Sequence, residues 1–135
     1  MAYLGSRHIR VEDDALLRGE GCFVDDIHLP GMLECAFVRS AFAHARLRKV
    51  DTEAARCAPG VVAVLGLTDL LPHLTSERLP LGFSLEVVEG EVTPFVLAKE
   101  EVCFVGEAIA VVIAENRYLA EDAAALVEVD VDVLP

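Results

Sequence analysis

Proline and glycine are sparse, six and nine residues in 135, and the composition lacks the polar or low-complexity bias that keeps a chain disordered. No apolar run reaches the roughly 18 residues that a membrane helix needs. Arg7, Arg10 and Glu12 stand where a signal peptide requires an apolar stretch. With neither a membrane span nor a leader in view, the chain reads as cytoplasmic. Basic residues are also few, 11 Lys and Arg against 23 Asp and Glu, for a net charge of −12. A field of that sign repels phosphate backbones, so nucleic-acid binding is disfavoured. Cys22, Cys35, Cys57 and Cys103 include no Cys-x-x-Cys pair, which argues against a zinc ribbon and against a compact disulfide framework. Isolated thiols of this kind are expected as small core residues.

What the chain does have is apolar: 54% of its residues are hydrophobic. The length fits a single domain, 1–135, that buries roughly two-thirds of its unfolded surface. The hydrophobic share is high for a free-standing domain of this size, so a contiguous apolar patch is expected to face neighbours. The Arg39 to Arg46 corner and the loop from Pro72 to Thr93 are its expected places. A symmetric homodimer is the expected form of an isolated chain with such a patch.

Periodicity outlines an α+β fold. Glu12, Asp13 and Asp14 ahead of Ala15-Leu16-Leu17-Arg18 and Gly19 describe a short capped helix. Strands are expected at Cys22-Phe23-Val24 and Met32–Val38. Ala45–Val50 alternates imperfectly, with Leu47 and Lys49 on one face and Arg46, Arg48 and Val50 on the other. A short helix over Asp51–Cys57 stops at Pro59-Gly60, and Val61–Leu65 is a β-branched strand. Thr68-Asp69 then stands ready to cap one more turn. Order returns at Phe95-Val96-Leu97 and Val102–Val105, before a break at Gly106-Glu107. The uncharged run Ala108–Ala114 reads as a strand buried on both faces. Asn116 is the expected N-cap of a helix through Leu126 with Leu119, Ala123 and Leu126 as its apolar stripe. Val127–Val133 alternates with acids, which would blunt it as an edge strand.

Candidate chemistry is thin. Gly19-Glu20-Gly21 follows a helix and precedes a strand, the reverse of a dinucleotide-binding turn. Gly60 to Gly66 lacks the Lys-Ser/Thr of a phosphate loop. Asp25-Asp26 could bind a hard cation, but adjacent residues of an extended chain point apart, and turn chemistry is the default. His8, His28, His44 and His73 show no i, i+4 metal spacing. The cluster Arg39-Ser40 through His44-Ala45-Arg46 is the most unusual: it either fixes a bend by bonding backbone carbonyls or contacts a partner through bidentate Arg.

Taken together, Arg10-Val11-Glu12-Asp13, Gly19-x-Gly21-x-Phe23-Val24-Asp25-Asp26, Leu29-Pro30-Gly31-Met32-Leu33, Val38-Arg39-Ser40, Ala43-His44-Ala45-Arg46, Pro59-Gly60-Val61, Val105-Gly106-Glu107 and Arg117-Tyr118-Leu119-Ala120-Glu121-Asp122-Ala123 closely resemble the N-terminal α/β-hammerhead domain of molybdenum hydroxylase large subunits. That family includes xanthine dehydrogenase, aldehyde oxidoreductase and aerobic carbon monoxide dehydrogenase. Ala41 and Ala108 stand where the family often has Pro, and Cys22 and Cys103 where a polar or basic residue is usual. The resemblance implies mixed strands with two main short helices packed on the sheet, and a much longer parent chain. It implies a parent that hydroxylates an aldehyde, heterocycle or similar small molecule with oxygen from water. Its molybdopterin, commonly the cytosine dinucleotide, would lie in downstream domains, and [2Fe-2S] clusters and FAD on other domains or subunits. The family's catalytic glutamate and pterin-contacting segments lie downstream, so no catalytic, cofactor-binding or metal-binding residue is expected here. A free-standing hammerhead module for binding or assembly is the alternative.

Overall fold

The computed structural model describes Gly5, residues 10–80 and residues 93–135. The chain divides into two compact units, Met1–Met32 and Leu33–Pro135.

In the first unit, helix α1 spans Asp13–Leu17. Asp13 and Asp14 occupy its first turn, where carboxylates meet the positive end of the helix dipole, and Arg10 and Arg18 pair with them. Gly19, with φ 72°, donates its N–H to the Leu16 carbonyl and ends the helix in the left-handed conformation that glycine tolerates. The strand expected at Cys22-Phe23-Val24 does not form: Val24–Asp26 is a 3-10 turn. The Asp26 carboxylate accepts the Phe23 N–H at 2.9 Å, and this local bond outcompetes a ladder. Asp26 thus does turn chemistry, and Asp25 lies in the same turn.

The second unit holds two three-stranded antiparallel sheets. The first is ordered β1 (Glu34–Arg39), β5 (Ala108–Ala114), β3 (Val61–Leu65); the second is β4 (Glu101–Val102), β2 (Ala45–Asp51), β6 (Glu128–Val133). Helices α2 (Glu53–Arg56), α3 (Leu67–Leu70) and α4 (Arg117–Ala124) lie between strands in the chain. Strand β1 starts two residues later than its apolar run suggests, and α2 is one turn within the expected Asp51–Cys57. Two segments match their expected bounds, Val61–Leu65 and Ala108–Ala114.

Each sheet has its own core. Val64 of β3 and Val112 of β5 meet Ala55 of α2 and Ala123 of α4. Alanine on both helices keeps the layers close, and Asn116 caps α4 by accepting the Leu119 N–H at 3.0 Å. The helix buries Ala120 and Ala123, while Leu126, expected in its stripe, lies beyond its last turn and is exposed. The second core joins Ala45, Ala98, Val102 and Ile109, with Leu47, Val50, Val129 and Val131 against it. Ile109, which the register with β1 skips, joins this core, while Val112 joins the first, so β5 feeds both. That is why the strand is apolar throughout.

A bulge explains the imperfect alternation of β2. The register with β6 shifts between Leu47 and Lys49, which leaves Arg48 as the extra residue and resets the phase. Leu47 and Val50 both reach the core, and Lys49 does not. Strand β6 is the acidic edge, as its Glu128, Asp130 and Asp132 suggest.

All four cysteines are exposed, against the core role expected of them. Cys35 sits on the outward period of β1 beside Phe37 and Arg39. Cys57 terminates α2, Cys22 precedes the 3-10 turn and Cys103 follows β4, so none occupies an inward position. In the Pro72 to Thr93 stretch, Leu71–His73 forms a 3-10 turn and residues 81–92 lie outside the described residues.

Gly60 shows how tightly the helical layer sits. Its φ is +72°, and an added Cβ would meet the Leu119 Cδ1 at 2.5 Å. Gly60→Ala is expected to cost about 1–3 kcal/mol through left-handed strain and overpacking. Urea unfolding checks this, and a variant as stable as the parent chain would show that the α4 contact is loose.

Candidate functional site

Two turns meet at the start of β5. One follows β1 through Ser40 and Phe42; the other runs from Cys103 to Glu107. The Ser40 N–H donates to the Glu107 carbonyl at 2.9 Å, and the Gly106 N–H donates to the Ser40 carbonyl at 2.8 Å. Arg39 adds a third link, its Nη1 donating to the Gly106 carbonyl at 2.8 Å, with the guanidinium 5.2 Å from the Phe37 ring centre. Gly106 takes φ +91° to make this turn, a conformation that other residues adopt with strain.

Ser40 and Glu107 are the buried polar side chains among the described residues. Each closes its own turn. The Ser40 hydroxyl accepts the Phe42 N–H at 3.0 Å and donates to the Phe42 carbonyl at 2.8 Å. The Glu107 carboxylate accepts the Cys103 N–H at 2.5 Å. Buried polar groups persist when hydrogen-bonded, and here the bonds hold two loops rigid. On the outside of those loops Phe42, Phe104 and Val105 are 41%, 49% and 65% exposed.

The Arg39 to Arg46 cluster therefore divides. Arg39 and Ser40 bond backbone and fix the bend. Arg46 and His44 turn to Glu101 instead, with Arg46 Nη2 3.1 Å and His44 Nε2 3.5 Å from its carboxylate. The Arg46 hydrogen bond holds the Glu101 carboxyl below the usual glutamate range; partial desolvation opposes it and His44 reinforces it. The ion pair is thus present at neutral pH and is lost as pH falls through the lowered folded value. His44 Nδ1 also lies 2.9 Å from the Pro135 carbonyl oxygen. His28 is exposed in the first unit, His73 ends a 3-10 turn, and His8 lies outside the described residues.

Beside the corner is an open cleft of about 700 Å³ whose lining includes Arg78, Phe95, Lys99, Cys103, Phe104 and Glu107. Arg78 and Lys99 stack over the Phe95 ring at 4.0 and 5.6 Å, and Lys99 pairs with Glu77 at 2.9 Å. Among the described residues no three His, Cys, Asp or Glu side chains stand close enough to hold a metal, and the four thiols lie in separate segments of the chain. These residues do not fit an iron–sulfur cluster or a molybdenum centre. No helix among them is long and apolar enough to cross a membrane.

The sequence marks Gly106-Glu107 only as a break. What could have revealed more is a lone carboxylate placed directly before a doubly buried strand, where it needs a bonded partner. Two outcomes follow. Glu107→Ala should cost about 1–3 kcal/mol by stranding the Cys103 N–H, whereas Glu107→Gln, which keeps an acceptor, should cost less; equal losses in urea unfolding would remove the carboxylate's bonding role. Arg46→Ala should raise the Glu101 midpoint toward the ordinary glutamate range, read by NMR titration, and an unmoved midpoint would mean that another group sets it.

Residues 18–135 match the family model described as "Aldehyde oxidase and xanthine dehydrogenase, a/b hammerhead domain". The chain is 46% identical over 132 residues to the carbon monoxide dehydrogenase large chain of Afipia carboxidovorans, covering 98% of this chain and 15% of that one. Over 131 residues it is 38% identical to the nicotine 6-hydroxylase large subunit of Paenarthrobacter nicotinovorans, covering 97% and 16%. Among solved structures, a Cu,Mo-CO dehydrogenase superposes with TM-score 0.81 at 45% identity, covering 97% of this chain and 16% of that one. The aldehyde oxidoreductase of Desulfovibrio gigas superposes with TM-score 0.84 at 28% identity, covering 97% and 15%. The chain thus spans 15–16% of the length of these relatives. With its two sheets and short helices it belongs to the aldehyde oxidase and xanthine dehydrogenase family, whose α/β-hammerhead domain it forms.

Proposed function

We propose that residues 1–135 are the N-terminal hammerhead domain of a longer molybdenum hydroxylase large subunit, and that this domain does no chemistry of its own. The observation that carries this reading is the 46% identity, along nearly the whole chain, to a carbon monoxide dehydrogenase large chain of which it spans 15%. The whole protein would oxidise a small aldehyde, a heterocycle or carbon monoxide with oxygen taken from water. Molybdopterin, as the cytosine dinucleotide, would sit in the downstream domains. Electrons would pass to [2Fe-2S] clusters and FAD on partner domains or subunits in the cytoplasm. Within 1–135 no residue is assigned a catalytic, cofactor-binding or metal-binding role; the domain scaffolds its neighbours. Separated from them, it would self-associate through its uncovered apolar surface as a symmetric homodimer.

The test is to purify the full-length gene product with its neighbouring gene products and measure molybdenum, visible spectrum and dye reduction. Substrates offered would be aldehydes, N-heterocycles and carbon monoxide. Stoichiometric molybdenum and turnover of one substrate class are expected. A full-length product that lacks molybdenum, or a reading frame that closes after Pro135, would favour a free-standing binding module. Iron or a flavin band on residues 1–135 alone would overturn the non-catalytic assignment.

A further inference from the structure

We infer that the corner carrying Phe42, Phe104 and Val105 is the surface on which the polypeptide downstream of Pro135 docks, an inference that rests on the reading that the polypeptide continues. These three side chains are exposed, yet the turns that bear them are held by the Ser40–Glu107 and Gly106–Ser40 backbone bonds and the Arg39–Gly106 bond. They cannot fold inward without breaking those links. Exposed aromatic side chains on rigid turns are the features that dominate binding at interfaces, because little conformational freedom is lost on contact.

The occupant is indicated by where the chain leaves the fold. Strand β6 runs back along β2, the Leu134 N–H donates to the His44 carbonyl at 3.0 Å, and the Pro135 carbonyl lies against the His44 ring. Phe42 is two residues from His44, so a continuing polypeptide emerges beside the corner. Tethering at so short a range gives the following segment a high effective concentration there. A second copy has no such advantage.

Arg39 specifies the chemistry of the occupant. Its guanidinium bonds the Gly106 carbonyl and lies over Phe37, and it has no carboxylate partner among the described residues, whereas Arg46, Arg48 and Lys49 each have one. The docking segment should present apolar side chains to Phe42 and Phe104 and a carboxylate to Arg39, which its planar donors can take in bidentate fashion.

Hydroxyl-radical footprinting of the full-length protein tests this, with Tyr118 as an internal reference because it is 79% exposed on α4. Phe42 and Phe104 should label several-fold more slowly than their exposure predicts relative to Tyr118, and Phe104→Asp combined with Arg39→Glu should restore labelling at Phe42. Labelling of Phe42 and Phe104 in proportion to their exposure would overturn the inference. Protection that disappears on dilution would assign the corner to a second copy, and protection lost when a co-purified subunit is removed would assign it to that subunit; both overturn the inference. The molybdenum content of the same preparation reports separately on the underlying reading, so a molybdenum-bearing protein with an unprotected corner sinks the docking surface alone.

Discussion

Strand β5 contributes to two cores at once, and the second unit depends on that double burial. Val112 packs among Val64, Ala55 and Ala123, while Ile109 packs among Ala45, Ala98 and Val102. Burying one such side chain is worth about 1.5–3 kcal/mol, so a single polar substitution in this strand would subtract from either core and strand an unpaired group. The same strand is the middle member of the first sheet, which places its ladder bonds away from water on both edges. The helices can then remain short: α2 and α4 need only cover one face, and alanines bring them close enough to do so.

Charge plays a different part. The second sheet is laced by Arg46–Glu101, Arg48–Asp132 and Lys49–Asp51 pairs at 3.1, 2.6 and 2.6 Å. Exposed pairs of this kind contribute about 0–1 kcal/mol each, well below the burial of β5. Arg46–Glu101 and Arg48–Asp132 join neighbouring strands and so fix register, whereas Lys49–Asp51 lies within β2. The β2 bulge leaves Arg48 as the extra residue, and Arg48 reaches Asp132 from there, while the Lys49 hydrogen bond holds Asp51 below the usual aspartate range. Acids along β6 close that edge to further strands, and strand addition on that side is disfavoured.

Residues whose role is set by their own periodicity could be read from the sequence. Ala108–Ala114, Val61–Leu65 and the Asn116 cap needed only apolar spacing and one capping side chain, and they stand where the pattern puts them. What could not be read depended on partners distant in sequence or on one local hydrogen bond. The bulge at Arg48 exists only against β6, so β2 looked merely irregular. Asp26 captured the Phe23 N–H and turned an apparent strand into a 3-10 turn. The cysteines were misplaced because burial follows the inward phase of each element, and that phase is fixed by what the element packs against. The corner itself was legible as an odd cluster of donors, but its division into a backbone lock and a Glu101 pair needed positions some 60 residues apart, as for Arg39 and Gly106, which are separated by 67.

A buried carboxylate beside a cleft invites a catalytic reading, and the geometry at Glu107 argues for a structural one. Its oxygen is committed to the Cys103 N–H, and its backbone carbonyl to Ser40. A group acting as acid or base must exchange a proton with something at the reacting centre, whereas this one accepts a backbone N–H within its own turn. The cost of burying the carboxyl group is offset by fixing two turns whose outer faces carry aromatics, and fixing them before contact avoids ordering them on binding. Serine at 40 does the same for the other turn with a smaller group. Such buried polar locks are most useful as the stiffening of a surface. That accounts for Val38-Arg39-Ser40 and Val105-Gly106-Glu107, far apart in the chain, meeting in one place.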